Sequence, residues 1–123
     1  RAGADAIVVS NHGGRQLDDV SSTISLLPKV MQALEVNTCP TLDVLIDGGI
    51  RNGQDVLKAV ALGASGTLIG RSWVYALAAG GQKGLEDFLT VVRRAMITSM
   101  GLTGVVNVKD VSPEILEDSD PHQ

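Results

Sequence analysis

The stretch Asp5-Ala6-Ile7-Val8-Val9-Ser10-Asn11-His12-Gly13-Gly14-Arg15-Gln16 sets a short, almost unbroken apolar run against a turn made of glycine and polar side chains. Closed by Gly3 on one side and by the Gly13-Gly14 pair on the other, the run has the pattern of a β-strand buried on both faces. Its polar residues all follow the strand, which is where barrels and open parallel sheets hold their ligands. The arrangement returns twice. Asp43 to Ile46 reads as a second strand and runs into Asp47-Gly48-Gly49-Ile50-Arg51-Asn52-Gly53, and Gly66 to Ile69 reads as a third that ends at Gly70-Arg71.

Helices fill the intervals. Leu26, Leu27, Val30, Met31 and Leu34 recur at helical spacing and predict a helix over residues 25–36, with Pro28 in its first turn, where a missing N–H is tolerated. Asn52 is placed to cap a helix running through Val56, Leu57 and Val60 to Gly63. After a segment of small residues through Gly81, the stripe Leu85, Phe88, Leu89, Val92 and Met96 predicts a helix over 85–100. A short helix is expected near Ser112 to Leu116. Residues 1–116 then form one unit and residues 117–123, an acidic run with Pro121, a flexible tail.

Three β-α units in series imply an α/β fold with three parallel strands and right-handed crossovers. A complete TIM (β/α)8 barrel needs about 250 residues, so these 123 residues fit the last three units of one. Periodicity by itself allows a small open sheet equally well. The opening Arg1-Ala2-Gly3-Ala4-Asp5 reads as the end of a helix feeding a strand, and the chain is expected to begin inside a fold and to be too short to work alone.

Composition narrows the function classes. A hydrophobic content of 44% with 20% charged residues is that of a globular protein, and with one Trp, one Tyr and one Phe the core must be built from aliphatic side chains, Ala and Gly. The net charge of −4, with no basic run longer than Arg93-Arg94, argues against a nucleic-acid partner. Cys39 has no second cysteine to pair with and no Cys or His at metal spacing, which fits a reducing compartment and no metal site. No stretch approaches the roughly 20 apolar residues that span a bilayer. The expected location is the cytoplasm, with any membrane association peripheral and on the inner face.

Chemistry gathers at the three strand ends. An imidazole exchanges protons near neutral pH and suits the removal of a proton from an alcohol, so His12 is the candidate base. Arg15 offers a planar fork for a carboxylate, and a base three residues from an anion clamp suits a hydroxy acid. Either residue met alone would more readily be read as a structural histidine or a surface ion pair. The glycines at 48, 49, 53 and 70 allow close backbone approach with free N–H groups, and helix N-termini beside Arg51 and Arg71 would attract a phosphate monoester. Neither the dinucleotide-binding nor the P-loop glycine pattern is present.

The run Ser10-Asn11-His12-Gly13-Gly14-Arg15-Gln16-Leu17-Asp18 resembles the active-site signature of the FMN-dependent α-hydroxy-acid dehydrogenases and oxidases. The loops Asp47 to Gly53 and Ile69-Gly70-Arg71 are similar to that family's FMN-phosphate loops and follow in the same order. The resemblance runs from about Gly3 to about Ile115. It implies FMN as cofactor, His12 as the base that takes a proton while the substrate's α-carbon is oxidised, and Arg15, with His12, as the substrate-binding residues. It further implies Ser10 near the flavin and Asp47, Gly48, Gly49, Arg51, Gly70 and Arg71 as the cofactor cradle. Residues 71–78 are most similar to the bacterial respiratory branch that oxidises L-lactate to pyruvate.

That branch implies a quinone or a cytochrome as electron acceptor and a homo-oligomer at full length. An oxygen-using glycolate or lactate oxidase and a non-catalytic FMN- or phosphate-binding fragment are the alternatives. A type 2 isopentenyl diphosphate isomerase is a third, against which His12 to Asp18 argues. Ser72 departs from the family's common Pro after Gly-Arg and is expected to loosen the turn. The family's flavin-side Lys, the carboxylate partner of its His, and its substrate-side Tyr residues lie on strands that precede this segment.

Overall fold

The computed structural model describes residues 3–37 and 42–116. Strands β1 (Ala6–Val9), β2 (Asp43–Ile46) and β3 (Gly66–Thr67) form one parallel sheet in the order β1-β2-β3, with Ala6 opposite Asp43, Val8 opposite Leu45 and Ile46 opposite Thr67. Helix α1 (Thr23–Val36) joins β1 to β2, α2 (Gly53–Ala61) joins β2 to β3, and α3 (Arg71–Leu102) follows β3. Single turns of 3-10 helix occupy His12–Gly14, Val108–Asp110 and Pro113–Ile115. The three expected β-α units are therefore present, and the helix expected at 112–116 is reduced to one turn.

Alternation along the strands decides the core. Val44 and Ile46 are fully buried and meet Leu27 of α1, Ala59 of α2 and Ala64, with Ile7 and Val9 of β1 packed at the margin. Each large side chain buried this way stabilises the fold by roughly 1.5–3 kcal/mol. The odd-numbered positions of β2 and the even-numbered ones of β1 point the other way, and there Val8 remains 47% exposed. The expectation of a first strand buried on both faces is thus corrected: helices cover one face, and among the described residues no element covers the other.

Three further expectations change. Pro28 lies in the second turn of α1, because the helix starts at Thr23 rather than Ser25. It removes the N–H that would have bonded the Ile24 carbonyl, and the proline itself lies on the exposed side of the helix. β3 is shorter than the expected run to Ile69. The small-residue segment from Ser72 onward is helical, since Ala and Leu are the strongest helix formers. α3 is broken at Gly80 and Gly81, whose φ,ψ of −149°, 20° and 57°, −146° divide it into arms at 71–79 and 82–102. The second of those conformations is accessible essentially to glycine alone.

Gly53 has a different role from the one its position in a glycine-rich loop suggested. It is buried at the start of α2, and a Cβ there would stand 2.2 Å from the Met96 nitrogen and 2.4 Å from the Val92 carbonyl oxygen. It lets α2 and the long arm of α3 touch backbone to backbone. The tail at 117–123, like Cys39, lies outside the described residues.

Candidate functional site

Parallel strands in one register deliver the ends of β1, β2 and β3 to the same rim of the sheet, and the three polar loops meet there. His12, Gly13, Arg15, Asp47, Gly48, Gly49, Arg51, Gly70 and Arg71 all line one cleft of ≈ 780 Å³. Ser10 lies just outside it, in an adjoining hollow of ≈ 480 Å³ that His12 also borders. The loops are close enough to cross: a Cβ on Gly13, in the first, would lie 3.8 Å from Nη2 of Arg71, in the third.

The first loop is a left-handed turn. His12, Gly13 and Gly14 have φ of 54°, 65° and 70°, a region that costs a residue with a Cβ on the order of 1 kcal/mol. Local hydrogen bonds oppose that cost. The Gly13 N–H donates to Asn11 Oδ1 at 3.1 Å, the Gly14 N–H to the Asn11 carbonyl at 3.0 Å, and the His12 N–H to Ser10 Oγ at 3.0 Å. The His12 and Arg15 side chains stay exposed at the cleft.

The second loop is tied down from beneath. Ser10 Oγ donates to Asp47 Oδ2 at 2.9 Å, and the hydroxyl of Thr23, 1% exposed, donates to the Asp47 carbonyl. Gly48 has φ 88°, and a Cβ there would meet Thr23 Oγ1 at 2.9 Å and Asn11 Oδ1 at 3.2 Å, so this glycine serves packing. Gly49, with φ 82°, has open space where its Cβ would be, as has Gly70. Those two positions leave room for a ligand against bare backbone.

The two helix N-termini differ. That of α2 is capped by its own residues: Asn52 Oδ1 accepts from the Asp55 N–H, and Asp55 Oδ2 accepts the Arg51 N–H, both at 2.9 Å. Its carboxylate also opposes an anion there. The capped start of α2 is therefore the less open of the two to an anion. α3 begins at Gly70 with no side-chain cap, so its first N–H groups remain available.

Charge agrees with this placement. Among the described residues the one ion pair is Lys83 with Asp87, on the outer surface of α3. The guanidinium groups of Arg15, Arg51 and Arg71 therefore line the cleft without a paired carboxylate. Asp47 Oδ1 is buried and lacks a hydrogen-bond partner. The unpaired Arg51 and Arg71, an open helix start and a lone buried acceptor fit a ligand with both an anionic group and hydroxyls, which is the chemistry of a ribityl phosphate. The residues present fit FMN.

Thr23 and Asn11 went unread in the sequence, because a Thr at a helix start reads as a cap and an Asn before a glycine reads as a turn. The signal that could have marked Thr23 is its β-branched, hydroxyl-bearing side chain at the point where α1 returns beneath the strand ends. Leu68, Trp73 and Tyr75 also line the cleft, the two aromatics from the short arm of α3.

Comparison with known proteins agrees with this construction. The sequence profile described as FMN-dependent dehydrogenase matches residues 1–118. The L-lactate dehydrogenase of Pseudomonas syringae pv. syringae is 52% identical over 114 residues, which make up 93% of this chain and 29% of that enzyme. A structure of flavocytochrome b2 with sulfite bound superposes with a TM-score of 0.91 at 41% identity over 95% of this chain and 31% of that one. Mandelate oxidase with benzoyl-formic acid gives 0.82 at 47% identity over 89% of this chain and 31% of that one. The chain thus spans about three-tenths of the length of these relatives. The fold is α/β, and its three β-α units are part of a TIM barrel.

Proposed function

The chain belongs to the FMN-dependent dehydrogenase family, and from that premise we propose that the whole enzyme oxidises an L-2-hydroxy acid, L-lactate to pyruvate, with FMN as cofactor. One observation carries the reading: the candidate base and carboxylate clamp, His12 and Arg15, line the same cleft as the backbone and cations that fit a phosphate, Gly49, Arg51, Gly70 and Arg71.

Bound FMN supplies the two-electron acceptor that no side chain can provide. Arg15 takes the substrate's carboxylate in its fork and so fixes which way the α-carbon faces, an orientation effect worth several kcal/mol, on the order of a thousandfold in rate or more. His12 accepts the proton released as that carbon is oxidised, either from the hydroxyl or from the carbon itself. Arg51 and Arg71 neutralise the phosphate at the uncapped start of α3, where barrels commonly hold phosphates between their last loops and a short extra helix. The short arm at residues 71–79 has the character of that helix.

L-lactate is favoured by the 52% identity to an L-lactate dehydrogenase. An oxygen-using oxidase is the second reading, favoured by the 47% identity to mandelate oxidase. In the first case the electrons leave to a quinone or a cytochrome, from the cytoplasm or the inner face of the membrane. A homo-oligomer is proposed for the whole enzyme, with exposed Leu89, Val91 and Ile97 on α3 as available apolar surface. Residues 1–123 alone are proposed to be inactive, because β1 keeps a bare face and an unpaired edge among the described residues.

The test is the full-length protein. It should purify with a flavin spectrum that L-lactate bleaches under anaerobic conditions faster than glycolate or mandelate, and be reoxidised faster by a quinone than by oxygen. A flavin that none of the three acids reduces would overturn the proposal, and rapid reoxidation by oxygen would move it to the oxidase reading.

A further inference from the structure

Ser10 is the one candidate residue that does not line the main cleft, yet it joins the two loops that do. Its Oγ accepts the His12 N–H at 3.0 Å and donates its own proton to Asp47 Oδ2 at 2.9 Å. Asp47 is in turn fixed by Thr23, whose buried hydroxyl donates to its carbonyl. The path runs from the backbone of the base, through one hydroxyl, to the floor of the phosphate loop.

The path matters because His12 is a non-glycine residue at φ 54°. Left free, a residue with a Cβ prefers the right-handed or extended regions, and either would swing the imidazole to another part of the rim. Within the turn, the Gly13 and Gly14 N–H groups are held by Asn11, whereas the His12 N–H is held by Ser10 alone. We infer that Ser10 is a positioning residue for His12, locking the base in its left-handed conformation and tying that conformation to Asp47 in the cofactor loop. The inference rests on the reading of His12 as the base.

Ser10 is exposed, so its hydroxyl fills no cavity and its loss leaves the core intact. That separates positioning from stability. The experiment compares full-length wild type, Ser10→Ala and Ser10→Thr by thermal midpoint, FMN content, amide hydrogen exchange at residues 11–15 with and without FMN, and anaerobic flavin reduction by L-lactate.

Ser10→Ala should keep its midpoint while, at saturating FMN, the His12 amide exchanges about tenfold faster or more. Its limiting reduction rate should fall about tenfold to a hundredfold with little change in half-saturating lactate, since a misplacement of about 1 Å can cost that much. Ser10→Thr, which keeps the hydroxyl, should restore both. Unchanged exchange at His12, or wild-type reduction by Ser10→Ala, overturns the inference. If no 2-hydroxy acid reduces the wild-type flavin, the proposed function fails separately, and the exchange arm decides the Ser10 link by itself: faster exchange supports it and unchanged exchange overturns it.

Discussion

Gly53 and Met96 meet backbone to backbone: a Cβ on the glycine would lie 2.2 Å from the Met96 nitrogen. Neither backbone can yield without moving a helix. Gly53→Ala in the full-length protein should therefore destabilise it by about 1–3 kcal/mol or more, the usual range for overpacking. The denaturant midpoint reads this directly, and an unchanged midpoint would contradict the packing of α2 on α3.

Thr23 lies beneath the site, and its hydroxyl is its contribution. Thr23→Val preserves shape but leaves the Asp47 carbonyl without its donor, which should cost about 1–3 kcal/mol and weaken FMN binding through the displaced loop. Thr23→Ser should behave close to wild type. Flavin titration of the apoprotein distinguishes the two, and equal affinities for Thr23→Val and wild type would remove Thr23 from the support of the cleft.

Arg51 and Arg71 should govern flavin retention more than chemistry, because they line the cleft on the side of Gly49 and Gly70. Removing a charged hydrogen-bond partner of the phosphate costs about 1.5–3 kcal/mol, so Arg51→Ala and Arg71→Ala should each raise the FMN dissociation constant about tenfold to a hundredfold. If both variants purify with full flavin, the phosphate lies elsewhere.

Arg15 tests the substrate side. Arg15→Lys retains the charge but loses the planar fork, and a point-like ammonium cannot reproduce a two-bonded carboxylate clamp. Turnover and lactate affinity should both suffer while FMN stays bound. Steady-state kinetics with unchanged KM and kcat would count against the clamp.

Much of this arrangement was legible in the sequence for a physical reason. The bounds of β2 and the Asn52 cap followed from local signals, an apolar run closed by glycines and an amide directly before its helix. The convergence of the three polar loops followed from parallel strands having to end on one rim. What local signals could not reach was tertiary. Gly53 and Gly49 look alike in the chain, yet one faces a helix backbone and the other open space. The N-termini of α2 and α3 both lie beside a glycine and an arginine, and the Asn52 cap together with the Asp55 carboxylate, folded back onto the Arg51 N–H, separates the capped one from the open one. The bare face of β1 was missed because an apolar run records what a strand is built to bury, whatever covers it within these residues.

If His12 is the proposed base of a flavin-dependent hydroxy-acid oxidation, anaerobic stopped-flow mixing of L-lactate with full-length protein and with its His12→Gln variant will separate the two proteins. Both should bind FMN equally, lactate should bleach the wild-type flavin, and the variant should be slower by about 10²–10⁴-fold, the contribution of a positioned proton acceptor. Bleaching of the His12→Gln flavin at close to the wild-type rate would contradict that role.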